Sequence, residues 1–185
     1  MTSVDRDANV LGALALVVAE QTSAAIIAAS GQSLSGAAAL SALHQFLDRP
    51  SLDQLGRVLG LTPSGAVRLV DRLVEADLVT RGPGGDGRSR SVALTVAGRR
   101  TAKRIAAARA GALGTVLQRL TAAQRTALSP VLDAVVAAVV ADKDGGAWIC
   151  RLCDLQVCGR NDGRCPAANA AAVKYGRGEQ GGGKQ

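Results

Sequence analysis

Apolar and polar positions alternate with helical spacing along most of the chain. Residues 10–29 (VLGALALVVAEQTSAAIIAA) carry a wide apolar face and predict a first helix, with Gly31 as its stop. Ser35 is placed to cap a second helix running through Leu40 and Leu43 to about Leu47. Asp48-Arg49-Pro50 ends it, because proline disfavours helix at the residue before it. Ser51 then caps a short helix with Leu52, Leu55, Val58 and Leu59 on one side, and Gly60 supplies a turn. Thr62 and Pro63 restart a helix as N-cap and first helical residue. Its pattern turns Val67, Val70, Leu73 and Val74 inward and Ser64, Arg68, Asp71 and Arg72 outward.

The period then changes from helical to alternating. Residues 78–81 read as a short strand, 82–87 (GPGGDG) as a turn, and 90–95 (RSVALT) as a returning strand with Val92 and Leu94 on one face. A long helix follows from Thr95 or Val96 to about Leu120. Thr121 caps another that reaches Ala141, where Pro130 predicts a kink or break. The tracts 13–19 and 134–141 are short of a membrane span and are expected to be buried helix.

The predicted architecture is therefore mainly α with a small β-hairpin wing: a winged helix-turn-helix, dimeric through terminal helices. Residues 1–34 form an N-terminal dimerisation helix and 35–98 the winged unit. Residues 99–141 form C-terminal dimerisation helices, 147–172 a cysteine-bearing segment, and 173–185 a Gly-rich disordered tail.

Composition sharpens this picture in two ways. The chain of 185 residues is 48% hydrophobic but only 2% aromatic, so its core is built of Ala, Leu and Val, which suits close-packed helices. The net charge of +7 is unevenly placed. Residues 1–50 hold two basic and four acidic side chains, residues 51–100 eight and five, and residues 101–125 five and none. A polyanion is the natural partner of that basic stretch. The N-terminus shows no secretory pattern, which predicts a cytoplasmic protein with reduced thiols and no membrane partner.

A short helix, a tight turn and a second helix with an exposed polar face is the arrangement that enters a major groove. Thr62, Ser64, Arg68 and Arg72 are the candidate DNA-binding residues on that helix, with Asp71 orienting a neighbouring Arg. Arg88 and Arg90 on the wing are placed for a minor groove or for phosphates. One histidine and no grouping of carboxylates with a nucleophile argue against an enzyme. The scarcity of aromatics argues against an RNA-binding module.

The stretch from Ser51 to Arg100 resembles the MarR family of bacterial transcriptional regulators. The resemblance spans about residues 10–141. Asp86, Arg88, Leu94, Thr95 and Gly98 carry that family's wing pattern, although Asp86-Gly87-Arg88-Ser89-Arg90 replaces a more usual Asp-Arg-Arg run. It implies an obligate homodimer on a pseudo-palindromic double-stranded DNA site, a repressor role, and a possible small-molecule effector. The residues single out no effector cleft. His44 and Phe46 are expected to pack in the core, and Trp148 and Tyr175 are the other aromatic side chains.

Cys150, Cys153, Cys158 and Cys165 are the four cysteines of the chain, spaced C-x2-C-x4-C-x6-C. Such a segment is too small and polar to fold by burial, and a metal held by four thiolates would fold it. Zinc suits a tetrahedral sulfur site. Cys165-Pro166 also matches the Cys-Pro that closes some iron–sulfur motifs. A thiol redox switch is the third possibility. Gly159 and Gly163 supply turns, and Arg151, Arg160 and Arg164 offset the anionic site. A centre here, packed near the terminal helices, would link DNA affinity to metal or redox state.

Overall fold

The computed structural model describes residues 2–83 and 90–176. Helix α1 (Ser3–Ser30) begins seven residues before the apolar stripe, because Thr2 and Asp5 form a capping box at its N-terminus. It ends where Gly31 takes a left-handed conformation. Helix α2 (Leu34–Gln45) is capped by Ser33 rather than Ser35, since the Ser33 hydroxyl accepts from the Gly36 amide at 3.2 Å. Ala37, Ala38, Ala39, Leu40 and Ala42 are all buried, so α2 is the central helix of the core. Its alanines let the neighbouring elements approach closely on several sides.

Helices α3 (Leu52–Leu59) and α4 (Pro63–Glu75) follow with the expected caps at Ser51 and Thr62. The inward face of α4 is Ala66, Leu69, Val70 and Leu73. This corrects the expected stripe: Val67 and Val74 are 40% and 39% exposed, one step beyond the residues that meet the core. Strands β1 (Val79–Pro83) and β2 (Arg90–Leu94) pair antiparallel, with Val79 opposite Leu94 and Pro83 opposite Arg90. Gly82 and Pro83, expected in the turn, extend β1. The rest of the predicted turn, with Asp86 and Arg88, lies outside the described residues, as does the tail beyond residue 176. The Val92 amide also donates to the Pro50 carbonyl at 3.0 Å, which ties the hairpin to the start of α3.

Helix α5 (Val96–Leu117) is fixed at its start by three coupled features. Thr95 accepts from the Gly98 amide at 2.9 Å, and its own hydroxyl donates to the Asp77 carbonyl at 2.7 Å. At Gly98 a Cβ would overlap the Leu78 carbonyl oxygen, so only glycine allows α5 this close to the α4–β1 junction. α5 then runs along α1, and Arg104 donates to the Ala29 carbonyl at 3.1 Å. Helix α6 (Ala122–Asp142) is continuous across Pro130, so the predicted break does not occur.

Ile26, Leu40, Leu55, Val58, Val70, Leu73, Val79, Val92 and Ile105 make the main core, drawn from every element from α1 to α5. The tract 13–19, expected to be buried, is almost wholly exposed within one chain, and of 134–141 Val140 alone is buried. Leu11, Leu14, Leu16 and Val17 on α1, and Val131, Leu132 and Val139 on α6, all face solvent. Among the described residues, α1 and α6 are the two helices long and apolar enough to cross a membrane, by length and composition alone.

The cysteine segment folds as two 3-10 turns, Ile149–Leu152 and Arg160–Asp162, followed by helix α7 (Pro166–Tyr175). α7 packs on α6. Val140, Ala167, Ala168 and Cys165 form a second, smaller buried cluster there.

Candidate nucleic-acid interface and cysteine cluster

The outward face of α4 begins at its cap. The Thr62 hydroxyl accepts from the Gly65 amide at 3.2 Å, so its first duty is to hold the helix start. Ser64, Arg68 and Arg72 follow at intervals of four and therefore stand one above another on one side of the helix. Thr62, Ser64, Arg68 and Arg72 are all exposed. The structure thus gathers them on one solvent-facing surface, and Val67 lies beside them. Val67 was missed because its apolar character read as core. An exposed valine next to Ser64 and Arg68 is suited to contact a thymine methyl group.

Arg90 is exposed at the described end of β2, opposite Pro83. Arg88 lies outside the described residues. The hairpin is tied to α4 by Arg81 of β1, whose Nη2 lies 2.6 Å from Asp71 Oδ1. The contact is an ion pair rather than a well-directed hydrogen bond: neither Nη2 nor Nε of Arg81 makes one. Asp71 therefore faces Arg81, not Arg68 or Arg72. Sequence reasoning missed Arg81 because only the fold brings β1 beside the middle of α4.

On α3, Gln54 and Arg57 are exposed, and so are Arg99 and Arg100 at the start of α5. The Arg99 guanidinium donates to the Leu94 carbonyl at 2.8 Å, which places one more cation at the base of the hairpin.

The arrangement from α2 to β2 has known counterparts. Residues 33–89 match the MarR family model. Over these residues the chain is similar to the winged helix of the MarR family. A search of curated protein sequences finds no match. Among solved structures, RV1404 from Mycobacterium tuberculosis is 26% identical with a TM-score of 0.66, covering 75% of this chain and 95% of that one. The M. tuberculosis MarR family protein Rv2887 in complex with DNA is 28% identical, with a TM-score of 0.55 and coverage of 69% and 95%. The same protein in complex with p-aminosalicylic acid gives 29%, 0.53, 69% and 96%. The match to RV1404 leaves about a quarter of the chain uncovered. MarR family members are transcriptional regulators rather than enzymes.

The four cysteines are brought together as two pairs. The Cys150 thiol neighbours that of Cys153, and the Cys158 thiol that of Cys165. The pairs also act on one another: Cys165 on Cys150, and Cys153 on Cys158. All four are free thiols, and Cys150 and Cys165 are buried. Among the described residues, no three Cys, His, Asp or Glu side chains stand as a ready cage for a metal ion.

The neighbouring Cys150 thiol pulls the Cys153 thiol down to about 6, helped by Arg109, Arg151 and Arg160. Cys153 in turn, together with burial, pushes Cys150 up. Burial also raises Cys158. Of the expected cations, Arg151 and Arg160 act on the cluster. Arg164 pairs instead with Asp162 at 3.0 Å, and Arg109 arrives from α5.

Proposed function

We propose that this chain is a homodimeric transcriptional regulator that binds a pseudo-palindromic double-stranded DNA site in a sequence-specific manner and represses the promoter it occupies. The observation that carries the reading is the exposed α4 face of Ser64, Val67, Arg68 and Arg72, held beside an Arg-bearing hairpin by the Asp71–Arg81 pair. A helix of this width and polarity fits the major groove, and Arg68 and Arg72 can pair with guanine edges or phosphates. The DNA complex of Rv2887, a protein 28% identical, supports the assignment.

A second copy of the chain supports both the reading and the surface chemistry. Leu11, Leu14 and Val17 of α1 and Val131, Leu132 and Val139 of α6 would be costly to leave in water. Packed against the same helices of a partner they form a dimer core and set the distance between two α4 helices. A membrane is the competing cover for such helices. A DNA-binding dimer instead works in the cytoplasm, and it would pellet with membranes only if that cover were the true one. A dimer seated on a promoter excludes polymerase by its volume, hence repression.

Control is assigned to the cysteine segment, through a metal or through thiol chemistry. A small organic effector is the second reading. A cavity of about 330 Å³ favours it, bounded by Val140, Trp148, Cys150, Arg160 and Tyr175. The p-aminosalicylic acid complex of Rv2887 lends it chemical precedent.

The test is binding of the full chain to duplexes selected by it from a random library, at several salt concentrations. Affinity should fall steeply with salt and exceed that for scrambled duplex by at least about a thousandfold. Equal affinity for both duplexes would sink the regulator reading.

A further inference from the structure

The cysteine segment touches the winged helix and the last long helix at once. The Trp148 amide donates to the Val58 carbonyl at the end of α3, at 2.8 Å. Its indole stacks on Phe46 at the end of α2, with centroids 6.1 Å apart and planes within 3°. The Leu155 amide donates to Gln45 Oε1 at 3.1 Å. Gly60, the turn between α3 and α4, lies so close to Ala147 that a Cβ there would stand 2.5 Å from the Ala147 nitrogen. On the far side, Lys174 of α7 donates to the Ala141 and Lys143 carbonyls at 2.7 and 2.9 Å, and the Tyr175 hydroxyl to Lys143 at 3.0 Å.

Little apolar burial holds the segment itself. The buried cluster it shares with Val140 of α6 adds three residues of its own, one of them Cys165, with Cys158 packed at the edge. Units this small usually need a metal or a cross-link to order them. The chain bends around the thiols through Gly159 and Gly163, both left-handed. Cys165 opens α7, with Pro166 as its first residue. Two of the thiols donate to backbone carbonyls: Cys158 to Leu155 at 3.5 Å and Cys153 to Ile149 at 3.9 Å. Four sulfurs within sixteen residues, already adjacent in pairs and flanked by Arg109, Arg151 and Arg160, are a donor set for a soft cation. The arginines offset the negative charge that four thiolates leave on any such centre.

We propose that Cys150, Cys153, Cys158 and Cys165 bind one thiophilic metal centre per chain, a zinc ion or an iron–sulfur cluster, and that this centre clamps the α2–α4 unit to α6. Binding displaces the thiol protons and draws the two pairs into one set of four sulfur ligands. The clamp half of the proposal rests on the DNA-binding reading; the metal half does not. With the centre filled, Trp148 and Ala147 are held against α2 and the α3–α4 turn, and α4 keeps a fixed position relative to α6. With it empty, that brace loosens and the affinity of the dimer for DNA falls.

The first measurement is metal and acid-labile sulfide analysis, with an absorption spectrum, on the full chain purified without oxygen. About one zinc in a colourless protein identifies a zinc site, and iron with sulfide and visible charge-transfer bands identifies a cluster. The second is titration of the reduced, metal-free full chain with Co2+, which needs no variant. Thiolate-to-cobalt charge-transfer bands should saturate at about one equivalent and be lost in Cys158→Ser and Cys165→Ser. Absence of zinc and iron as purified, of cobalt bands, and of a cluster after incubation with Fe2+ and sulfide would overturn the metal centre. Disulfides formed within these pairs by metal-free protein, with no metal uptake, would overturn it in favour of a thiol switch. Chelation should weaken binding to the selected duplex at least tenfold, and readdition of the metal should restore it. Unchanged affinity on full removal would overturn the clamp while leaving the cobalt result standing. A filled protein that binds no DNA fails the regulator reading and with it the clamp.

Discussion

Arg68 and Arg72 share the exposed side of α4, yet they need not act alike. A guanidinium that pairs with a base edge carries sequence information, and one on a phosphate carries salt dependence. Arg68, nearer the helix start, is expected to read a base, and Arg72 a phosphate. Arg68→Ala should cost about 1–3 kcal/mol of binding and relax the sequence preference at one position of each half-site. Arg72→Ala should weaken all duplexes alike and reduce the salt slope by about one per subunit. Anisotropy titrations against single-base variants of the selected duplex separate the two. Thr95 and Gly98 make a different kind of prediction. Thr95→Ala removes a cap and the bond to Asp77, and should cost about 1–2 kcal/mol in urea unfolding. Gly98→Ala should cost more, because α5 must move away from the Leu78 carbonyl. Thr95 was visible in the sequence as a helix start, and Gly98 only as part of the family's wing pattern. Arg81 and Val67 were not. Arg81 finds Asp71 through the tertiary fold, and whether Val67 is core or surface turns on a small rotation of α4 about its axis.

At the scale of elements, turn and cap chemistry carried most of what could be read. Ser51, Thr62, Thr95 and Thr121 each hold the amide of the third residue beyond them, and each was recognisable as a helix start. The predicted break at Pro130 does not occur, because α6 continues through it, and Ser33 rather than Ser35 caps α2. The path of the cysteine segment was invisible. Its spacing showed four thiols that belong together, but nothing local says that Trp148 stacks on Phe46, a hundred residues earlier. That stack offers a convenient probe, because Trp148 is the single tryptophan of the chain. Phe46→Ala should red-shift its emission and make the segment release at lower denaturant than the helices lose their circular dichroism. The wild type with its thiols filled by metal should lose both signals together. Coincident transitions in Phe46→Ala would show that the stack does not couple segment to core.

For the molecule as a whole, the decisive quantity is the apolar surface that one chain leaves uncovered. The sequence showed α1 and α6 as apolar helices, expected at a dimer interface, but not which stretches would stay off the one-chain core that Ile26 of α1 joins, because periodicity cannot say which partner a face will meet. Their large exposed side chains, from Leu11 to Val17 and from Val131 to Val139, make the dimer a physical requirement of the proposed function. Leu14→Glu places a charge in that face without touching the α2–β2 unit. Sedimentation should show it as a monomer that stays in the supernatant without detergent. The monomer retains α4 and the hairpin, so its half-site contacts survive, but it forfeits the effective concentration that links two half-sites. That loss alone is worth about a hundredfold or more in affinity. Arg68→Ala should do the reverse, staying dimeric while losing contacts. If Leu14→Glu remained dimeric and bound the selected duplex as tightly as the wild type, α1 would not be part of the interface. The spacing of the two α4 helices would then be set elsewhere. A chain that instead needed detergent to leave the pellet would assign α1 and α6 to a membrane.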